Sequence, residues 1–163
     1  MLFDLRNSEE TRTVLLTLEE KRKGGKTIGL TSGCFDLIHF QHFYYFFRCQ
    51  RQCDVLVVGV DSDEMVRAEK GPERPFIFDY KRATMVDALK PVAFAFVMNG
   101  LEDLRAAAKL IRPDFLFRNS DFAGREDEVV GREFARKLVI VHDVEDHAST
   151  TELSRAIAGR IKQ

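Results

Sequence analysis

Hydrophobic residues follow two alternating patterns along the chain. Five short apolar runs predict β-strands, and the second of them is apolar almost throughout, as is typical of a strand buried on both faces. The five runs are TIGLTS (27–32), DVLVVGV (54–60), AFAFVM (93–98), RPDFLFR (112–118) and KLVIVH (137–142). Because connecting segments separate every pair of runs, the strands have room for helical crossovers between them.

The segments between the runs carry apolar residues at helical spacing or begin with residues that favour helix starts. Ser8, followed by two glutamates, predicts the N-cap of a first helix that ends at Gly24-Gly25. Further helices are predicted from Phe40 onward, in SDEMVRAEK (62–70), DYKRATMVDAL (79–89), LEDLRAAAKLI (101–111), near 126–136, and in TTELSRAIAGRI (150–161). In the second helix, Phe43, Phe46 and Phe47 are predicted to be core residues.

Strands that alternate with helices predict an α/β fold, a Rossmann-like three-layer sandwich with a mostly parallel central sheet. The 163 residues are enough for one domain with its own core. We therefore expect a single domain over 1–163, in which 1–25 form an N-terminal helix that leads into a core of 26–163.

Composition and charge exclude several classes of function. A net charge of −1 lacks the concentrated basic charge of a nucleic-acid-binding protein. No apolar run approaches membrane-spanning length, and the first ten residues carry acids where a signal peptide carries bases. The three cysteines are odd in number and form no C-x-x-C, which favours a reducing, cytoplasmic setting over a disulfide framework.

Candidate chemistry collects in three loops that follow predicted strands, at 32–42, 118–124 and 142–151. The carboxyl ends of parallel strands are where such folds bind ligands. No strand is followed by G-x-G-x-x-G, and GGKT (24–27) fails as a P-loop because it precedes a strand and Glu20 holds the required glycine position. No cysteine pair has zinc-ligand spacing, so no protein-bound metal site is predicted.

Several motifs, in order, resemble one family. GCFDLIHFQH (33–42) is similar to the G-x-F-D-x-x-H-x-G-H signature of the cytidylyltransferase-like nucleotidyltransferases. EKGPERP (69–75), RPDFLFRNSDF (112–122) and STTELSRAI (149–157) are similar to later motifs of the same family. The most similar branch is the sugar-phosphate adenylyltransferases typified by heptose 1-phosphate adenylyltransferase, followed by glycerol-3-phosphate cytidylyltransferase.

The resemblance implies transfer of a nucleoside monophosphate from ATP or CTP to a small phosphorylated sugar or alcohol, with release of pyrophosphate. This reaction needs positioning and electrostatic stabilisation more than acid–base catalysis. Mg²⁺ is expected to accompany the triphosphate, since a divalent ion neutralises charge that side chains leave uncompensated. The resemblance also allows a homodimer and implies neither a nucleic-acid nor a membrane partner.

The resemblance assigns roles to individual residues. Imidazoles three residues apart on the first turn of a helix point the same way, toward an anion-attracting N-terminus. The catalytic set is His39, His42, Lys70 and Arg118, the last of which stands where relatives carry lysine. The nucleotide-binding set is Gly33, Cys34, Phe35, Asp36, Gln41, Ser149, Thr150 and Thr151. The acceptor-binding set is Arg74, Asn119 and Asp121.

Structural interpretations compete with these roles. Asp36 can bond backbone amides, Ser149 and its neighbours can serve as an N-cap, and the side chain of Cys34 can be a small packing group. Lys70 and Arg118 can be ordinary solvated charges.

Gln41 departs from the family glycine, which allows close approach of the nucleoside to the helix. NSD (119–121) stands where the family motif has G-G-D, so side chains again replace glycines in a loop that usually lies close to substrate. Three alternatives therefore stay open: a glycerol-phosphate cytidylyltransferase, an FMN adenylyltransferase, and a non-catalytic nucleotide-binding relative.

Overall fold

The computed structural model describes residues 1–142, in which five parallel strands form one sheet. The strands are β1 (Ile28–Gly33), β2 (Val55–Asp61), β3 (Phe94–Met98), β4 (Phe115–Asn119) and β5 (Lys137–Val141). Their order across the sheet is β3-β2-β1-β4-β5. The chain thus moves from β1 to β3 in one direction and then crosses to the other side of β1. The α/β class and the parallel sheet are confirmed.

Five α-helices connect the strands or precede them within the described part of the chain. They are α1 (Ser8–Lys23), α2 (Phe40–Gln50), α3 (Asp63–Lys70), α4 (Asp79–Asp87) and α5 (Leu101–Ile111). The N-cap of α1 is Asn7 and not Ser8 as predicted, because the Asn7 side chain accepts hydrogen bonds from the amides of Glu9 and Glu10.

The helices cover both faces of the sheet. Val14 and Leu18 of α1 pack with Leu104 and Ile111 of α5 in one apolar core. Phe46 of α2 lies in a second core with Ala83 and Val86 of α4. The N-terminal segment joins the first core through Phe3, whose backbone amide also donates to the carbonyl of Ala95 in β3. Within residues 1–142, no helix is both long and apolar enough to cross a membrane.

The predicted helix near 126–136 is wrong. The chain instead forms two separate 3-10 turns, Glu126–Glu128 and Arg132–Phe134. Gly131 lies between them with φ of 86°, a left-handed conformation that ends helical propagation. The same glycine approaches α5 so closely that a Cβ at this position would lie 2.8 Å from the Cβ of Ala108.

The prediction for the phenylalanines of α2 is only partly confirmed. Phe46 is fully buried, whereas Phe43 and Phe47 are exposed on the outside of the helix. Successive residues of an α-helix are about 100° apart, so Phe47 cannot share the inward face of Phe46. Phe43 and Phe47, four residues apart, instead stack on each other with ring centroids 6.4 Å apart.

Candidate functional site

A cavity of about 540 Å³ opens at the carboxyl ends of the strands. The crossing of the chain between β1 and β4 makes this edge a topological switch point, the usual ligand crevice of open parallel sheets. Strand ends contribute Ser32, Gly33, Asp61, Met98, Arg118 and Asn119 to the cavity wall. The flanking loops and helices contribute Cys34, Phe35, Asp36, His39, Gln41, His42, Tyr45, Met65, Glu69, Lys70, Leu101, Asp121 and Phe122.

The two signature histidines lie together at the start of α2. His39 is the N-cap residue, and its Nδ1 accepts a hydrogen bond from the backbone amide of Gln41 at 3.3 Å. The ring centroids of His39 and His42 are 4.1 Å apart, and both rings line the cavity. Because Nδ1 of His39 is an acceptor, neutral His39 carries its proton on Nε2.

The environment of His42 favours the neutral imidazole. Burial, together with the neighbouring His39 and Lys70, lowers the pKa of His42 to about 3, and the charge of Asp36 opposes this shift. Nδ1 of His42 is buried and has no hydrogen-bond partner among the described residues. The His42 ring lines the cavity, and an uncharged imidazole there is suited to a hydrogen bond with a ligand.

The loop between β1 and α2 is held from beneath by Asp36. Asp36 is buried, and its carboxylate lies 2.8 Å from Nε of Arg74, which donates to it. The backbone amides of Phe76 and Ile77 also donate to this carboxylate. Asp36 therefore fixes its loop to the 71–78 segment, which agrees with a positioning role in the signature.

Backbone strain marks the same loop. Phe35 has φ of 50°, in the left-handed region that side chains other than glycine disfavour. The Phe35 ring packs against the backbone of Gly33, where an added Cβ would lie 3.0 Å from the ring. Strained residues of this kind persist where the surrounding contacts hold them, and they are concentrated at functional sites.

Arg82 of α4 was not identified from the sequence, although it supports the loop between β1 and α2. Its side chain is fully buried and donates hydrogen bonds to the carbonyls of Cys34 and Ile77. It also forms an ion pair with Asp63 at 2.9 Å. Arg82 lies on the buried face of α4 beside Ala83, and a buried arginine needs specific partners such as these.

Arg118 connects β4 to β1 across the switch point. Its Nη1 donates to Oγ of Ser32 at 2.6 Å, and its guanidinium lies 4.1 Å from the centre of the Phe122 ring. Nε of Arg118 is buried and has no partner among the described residues. Arg118 is therefore an anchored cation in the wall and not a solvated charge.

The remaining predicted residues fall into three groups. Lys70, the last residue of α3, lines the cavity, and the described residues contain no carboxylate within ion-pair distance of its ammonium. Asn119 donates to Asp121 at 2.7 Å, and both line the cavity. Arg74 does not line it, because its guanidinium is engaged by Asp36. Ser149, Thr150 and Thr151 lie outside the described residues.

Asp61 and Tyr45 are cavity residues that sequence reasoning missed. The hydroxyl of Tyr45 lies 2.7 Å from Oγ1 of Thr31, so its ring is fixed against β1. Burial raises the pKa of Asp61 to about 6, and the charge of Arg118 opposes that rise. Its position as the first polar residue after an apolar strand was the available signal.

The cysteines are packing residues, and the potential metal ligands of the described residues do not converge. All three cysteines are free and buried, and burial raises the pKa of the Cys34 thiol, so Cys34 has the character of a packing residue. Within residues 1–142, no group of three or more His, Cys, Asp or Glu side chains converges on a position for a metal ion.

A family model described as Cytidylyltransferase-like matches residues 30–156. The bifunctional protein HldE of Campylobacter fetus is 37% identical over 137 residues, which cover 84% of this chain and 29% of the relative. HldE of Syntrophotalea carbinolica is 35% identical over 162 residues, covering 98% and 32%. The chain therefore spans about a third of the length of these relatives.

Two solved structures share the fold. A lipopolysaccharide core biosynthesis protein from Thermoplasma volcanium has a TM-score of 0.62 at 21% identity, covering 74% of this chain and 100% of its own. A pantoate-beta-alanine ligase from Francisella tularensis has a TM-score of 0.54 at 11% identity, covering 91% and 77%. These matches confirm the Rossmann-like fold, and the sequence relatives support a nucleotidyltransferase.

Proposed function

The chain belongs to the cytidylyltransferase-like family, and on this premise we propose that it transfers a nucleoside monophosphate from ATP or CTP to a small phosphorylated sugar or alcohol. The acceptor class that best fits the HldE relatives is a sugar 1-phosphate, as in heptose 1-phosphate adenylyltransferase. One observation carries the proposal: two imidazoles lie 4.1 Å apart at the start of α2, inside a cavity whose wall also contains Arg118 and Lys70.

The proposed reaction is a displacement at phosphorus. An oxygen of the acceptor phosphate attacks the α-phosphorus of the nucleoside triphosphate, and the bond from that phosphorus to the bridging oxygen breaks. Pyrophosphate leaves with the bonding electron pair, and a phosphoanhydride joins acceptor and nucleotide. Negative charge spreads over the oxygens of the α-phosphate, so catalysis depends on fixed donors and cations around them.

In this proposal the histidines act as neutral hydrogen-bond donors. His39 presents Nε2–H because its Nδ1 accepts from the Gln41 amide. Burial lowers the pKa of His42 and so keeps its imidazole uncharged. A triphosphate brings negative charge to the pair, which raises the affinity of the imidazoles for protons and strengthens their hydrogen bonds to phosphate oxygens.

Charge neutralisation is assigned to two cations on different elements. Arg118 is held at the end of β4 by Ser32 and lines the cavity with a fixed positive charge. Lys70 at the end of α3 supplies a second, more mobile charge. Ser149, Thr150 and Thr151 are proposed to contact the β- and γ-phosphates, on the strength of their resemblance to the closing family motif.

Mg²⁺ is proposed to enter with the triphosphate. Magnesium commonly keeps several waters and is bound by substrate phosphates together with one or two carboxylates. The ion would neutralise phosphate charge that the two imidazoles leave uncompensated.

A second candidate function rests on Gln41. Its side chain lines the cavity on the first turn of α2, where the family signature has glycine. A nucleoside held farther from the helix than in relatives would bind without reacting. The chain would then be a nucleotide-binding relative without catalysis. Glycerol-phosphate cytidylyltransferase and FMN adenylyltransferase activities differ from the first proposal only in substrate.

The test is release of pyrophosphate by the purified chain with Mg²⁺. ATP and CTP are each combined with sugar 1-phosphates, glycerol 3-phosphate and FMN, and the nucleotide-linked product is identified by mass. Release that depends on one acceptor supports catalysis and names the branch. Nucleotide binding by calorimetry without release in any combination supports the second candidate. The absence of both binding and release would overturn the assignment.

A further inference from the structure

The cavity has two chemically different sides. The side formed by α2 and β4 carries the imidazoles and Arg118, which suit a polyphosphate. The side formed by the ends of β2 and β3, by α3 and by the start of α5 carries two carboxylates and three apolar side chains, with Lys70 at the end of α3. The carboxylates and apolar side chains are Asp61, Met65, Glu69, Met98 and Leu101. Since carboxylates repel phosphate, the surface around Asp61 and the two methionines is suited to an uncharged part of a ligand.

Asp61 is rigidly placed on the second side. It is the last residue of β2 and lies in register with Met98 of β3. The next residue, Ser62, donates its amide to the carbonyl of Met98 at 2.7 Å and caps α3 with its side chain. The backbone on both sides of Asp61 is therefore held by hydrogen bonds, and its carboxylate lines the cavity.

The Asp61 carboxylate makes no hydrogen bond or ion pair with another residue of the described chain. Arg118, Arg82 and Lys70 lie close enough to lower its pKa, and Glu69 raises it, but burial dominates. Withdrawal of an unpartnered carboxylate from water costs folding free energy. Such a group is retained most readily where a ligand completes its hydrogen bonds, and a cavity wall is such a place.

We infer that Asp61 accepts hydrogen bonds from two neighbouring hydroxyls of the acceptor's sugar or polyol and thereby selects a polyhydroxylated acceptor. A carboxylate has two acceptor oxygens, which match two adjacent hydroxyl donors. Met65 and Met98 beside it offer apolar surface to the C–H groups between the hydroxyls. The inference relies on the proposed function for the identity of the ligand, because the acceptor there is a sugar or polyol phosphate.

The ribose of the nucleotide is the other source of neighbouring hydroxyls. The imidazoles that would hold the triphosphate lie at α2, while Arg118 lies at β4, on the opposite side of β1 from β2. A triphosphate between these groups leaves the β2–β3 side for the second substrate. We therefore assign Asp61 to the acceptor, and the experiment separates the two sources.

Binding calorimetry tests the inference without reference to turnover. The probes are mannose 1-phosphate and glycerol 3-phosphate, which carry neighbouring hydroxyls, and ethyl phosphate, which carries none. We expect Asp61→Ala to weaken the binding of a hydroxylated probe by at least about tenfold, because two hydrogen bonds to a charged group are lost. Ethyl phosphate is expected to bind the variant at least as tightly as wild type, because it has no neighbouring hydroxyls to lose contact with and a charge that repels phosphate is removed.

Two further variants refine the comparison. Asp61→Asn keeps the shape and one acceptor oxygen, so its affinity is expected to lie between those of wild type and Asp61→Ala. Glu64→Gln changes an exposed carboxylate on the neighbouring helix α3 that does not line the cavity, and it is expected to leave binding unchanged. Thermal unfolding of each variant verifies that the fold is intact.

Three results would overturn the inference. First, Asp61→Ala could bind the hydroxylated probes as tightly as wild type does. Second, wild type could fail to bind either hydroxylated probe. Third, Asp61→Ala could lose affinity for ATP or CTP but not for the 2′,3′-dideoxynucleotide. The last result would assign Asp61 to the ribose. Asp61-dependent probe binding without pyrophosphate release would remove the proposed catalysis and leave the polyol site in place.

Discussion

Asp36 and Arg74 form an ion pair that is almost completely removed from solvent. Nη2 of Arg74 lies 2.7 Å from the Asp36 carboxylate, and the two side chains are 10% and 1% exposed. One partner comes from the histidine-containing signature and the other from the loop after α3. The pair therefore couples the conformation of the signature loop to a segment nearly forty residues away.

Loss of Arg74 should strongly destabilise the protein. Arg74→Met leaves the buried Asp36 charge without its arginine partner, which is expected to lower the free energy of unfolding by roughly 3 kcal/mol. Urea denaturation measures this difference. Arg105→Ala, which removes a half-exposed pair with Glu133, is the matched control and should cost less than about 1 kcal/mol. Equal losses in the two variants would show that burial of the Asp36 pair is energetically unimportant.

Replacement of His42 should remove a hydrogen-bond donor that stabilises the transition state, and so slow catalysis. His42→Ala is expected to lower kcat by roughly 10²–10³, the usual effect of removing one such donor. His142→Ala is the control, because His142 is exposed and follows β5. Pyrophosphate release under saturating substrates gives kcat. Unchanged kcat in a folded His42→Ala enzyme would exclude the role.

Asp61 should destabilise the protein as its carboxyl group ionises. Its pKa is raised from 3.8 to about 6 in the folded protein, so the folded state binds the proton more tightly than the unfolded state does. The resulting stabilisation is complete below about pH 4 and is lost as the pH rises through 6. Asp61→Asn removes this dependence.

Melting temperatures of wild type and Asp61→Asn across pH 4 to 8 provide the measurement. The variant should gain stability relative to wild type as the pH rises, with most of the gain between about pH 4 and 6. A constant difference over that range would mean that Asp61 titrates at its ordinary pKa, in contact with solvent.

Gln41 should restrict access of the nucleoside to the start of α2. Gln41→Gly removes a side chain from the cavity wall and is expected to tighten nucleotide binding, measured as Kd by calorimetry. The glycine should also cost about 0.5–1 kcal/mol of stability, as in other helices. Gln50→Gly, at the other end of α2, controls for that cost. If neither Kd nor turnover responds to Gln41→Gly, Gln41 does not contact the nucleotide.

The strands and most helices were predictable because their hydrophobic patterns are uninterrupted. The apolar run at 54–60 corresponds to β2 within one residue at each end. The segment near 126–136 has no such clear hydrophobic pattern, since its few apolar residues fit either a helix or a pair of turns. The deciding factor there is the left-handed backbone of Gly131 and its contact with Ala108, which are tertiary properties.

The site residues that belong to a sequence motif could be predicted, whereas those that depend on long-range contacts could not. The signature located His39 and His42, and their proximity follows from helical spacing. The engagement of Arg74 by Asp36 and the burial of Arg82 depend on how separate loops fold together. The spacing of residues along the chain does not indicate these contacts. Arg74 was therefore assigned to acceptor binding, and Arg82 was not identified.

The three partners of Arg82 determine which part of the cavity rim can move. One guanidinium holds the carbonyls of Cys34 and Ile77 and the carboxylate of Asp63, so these segments open cooperatively or not at all. Slow hydrogen exchange is therefore expected on that side.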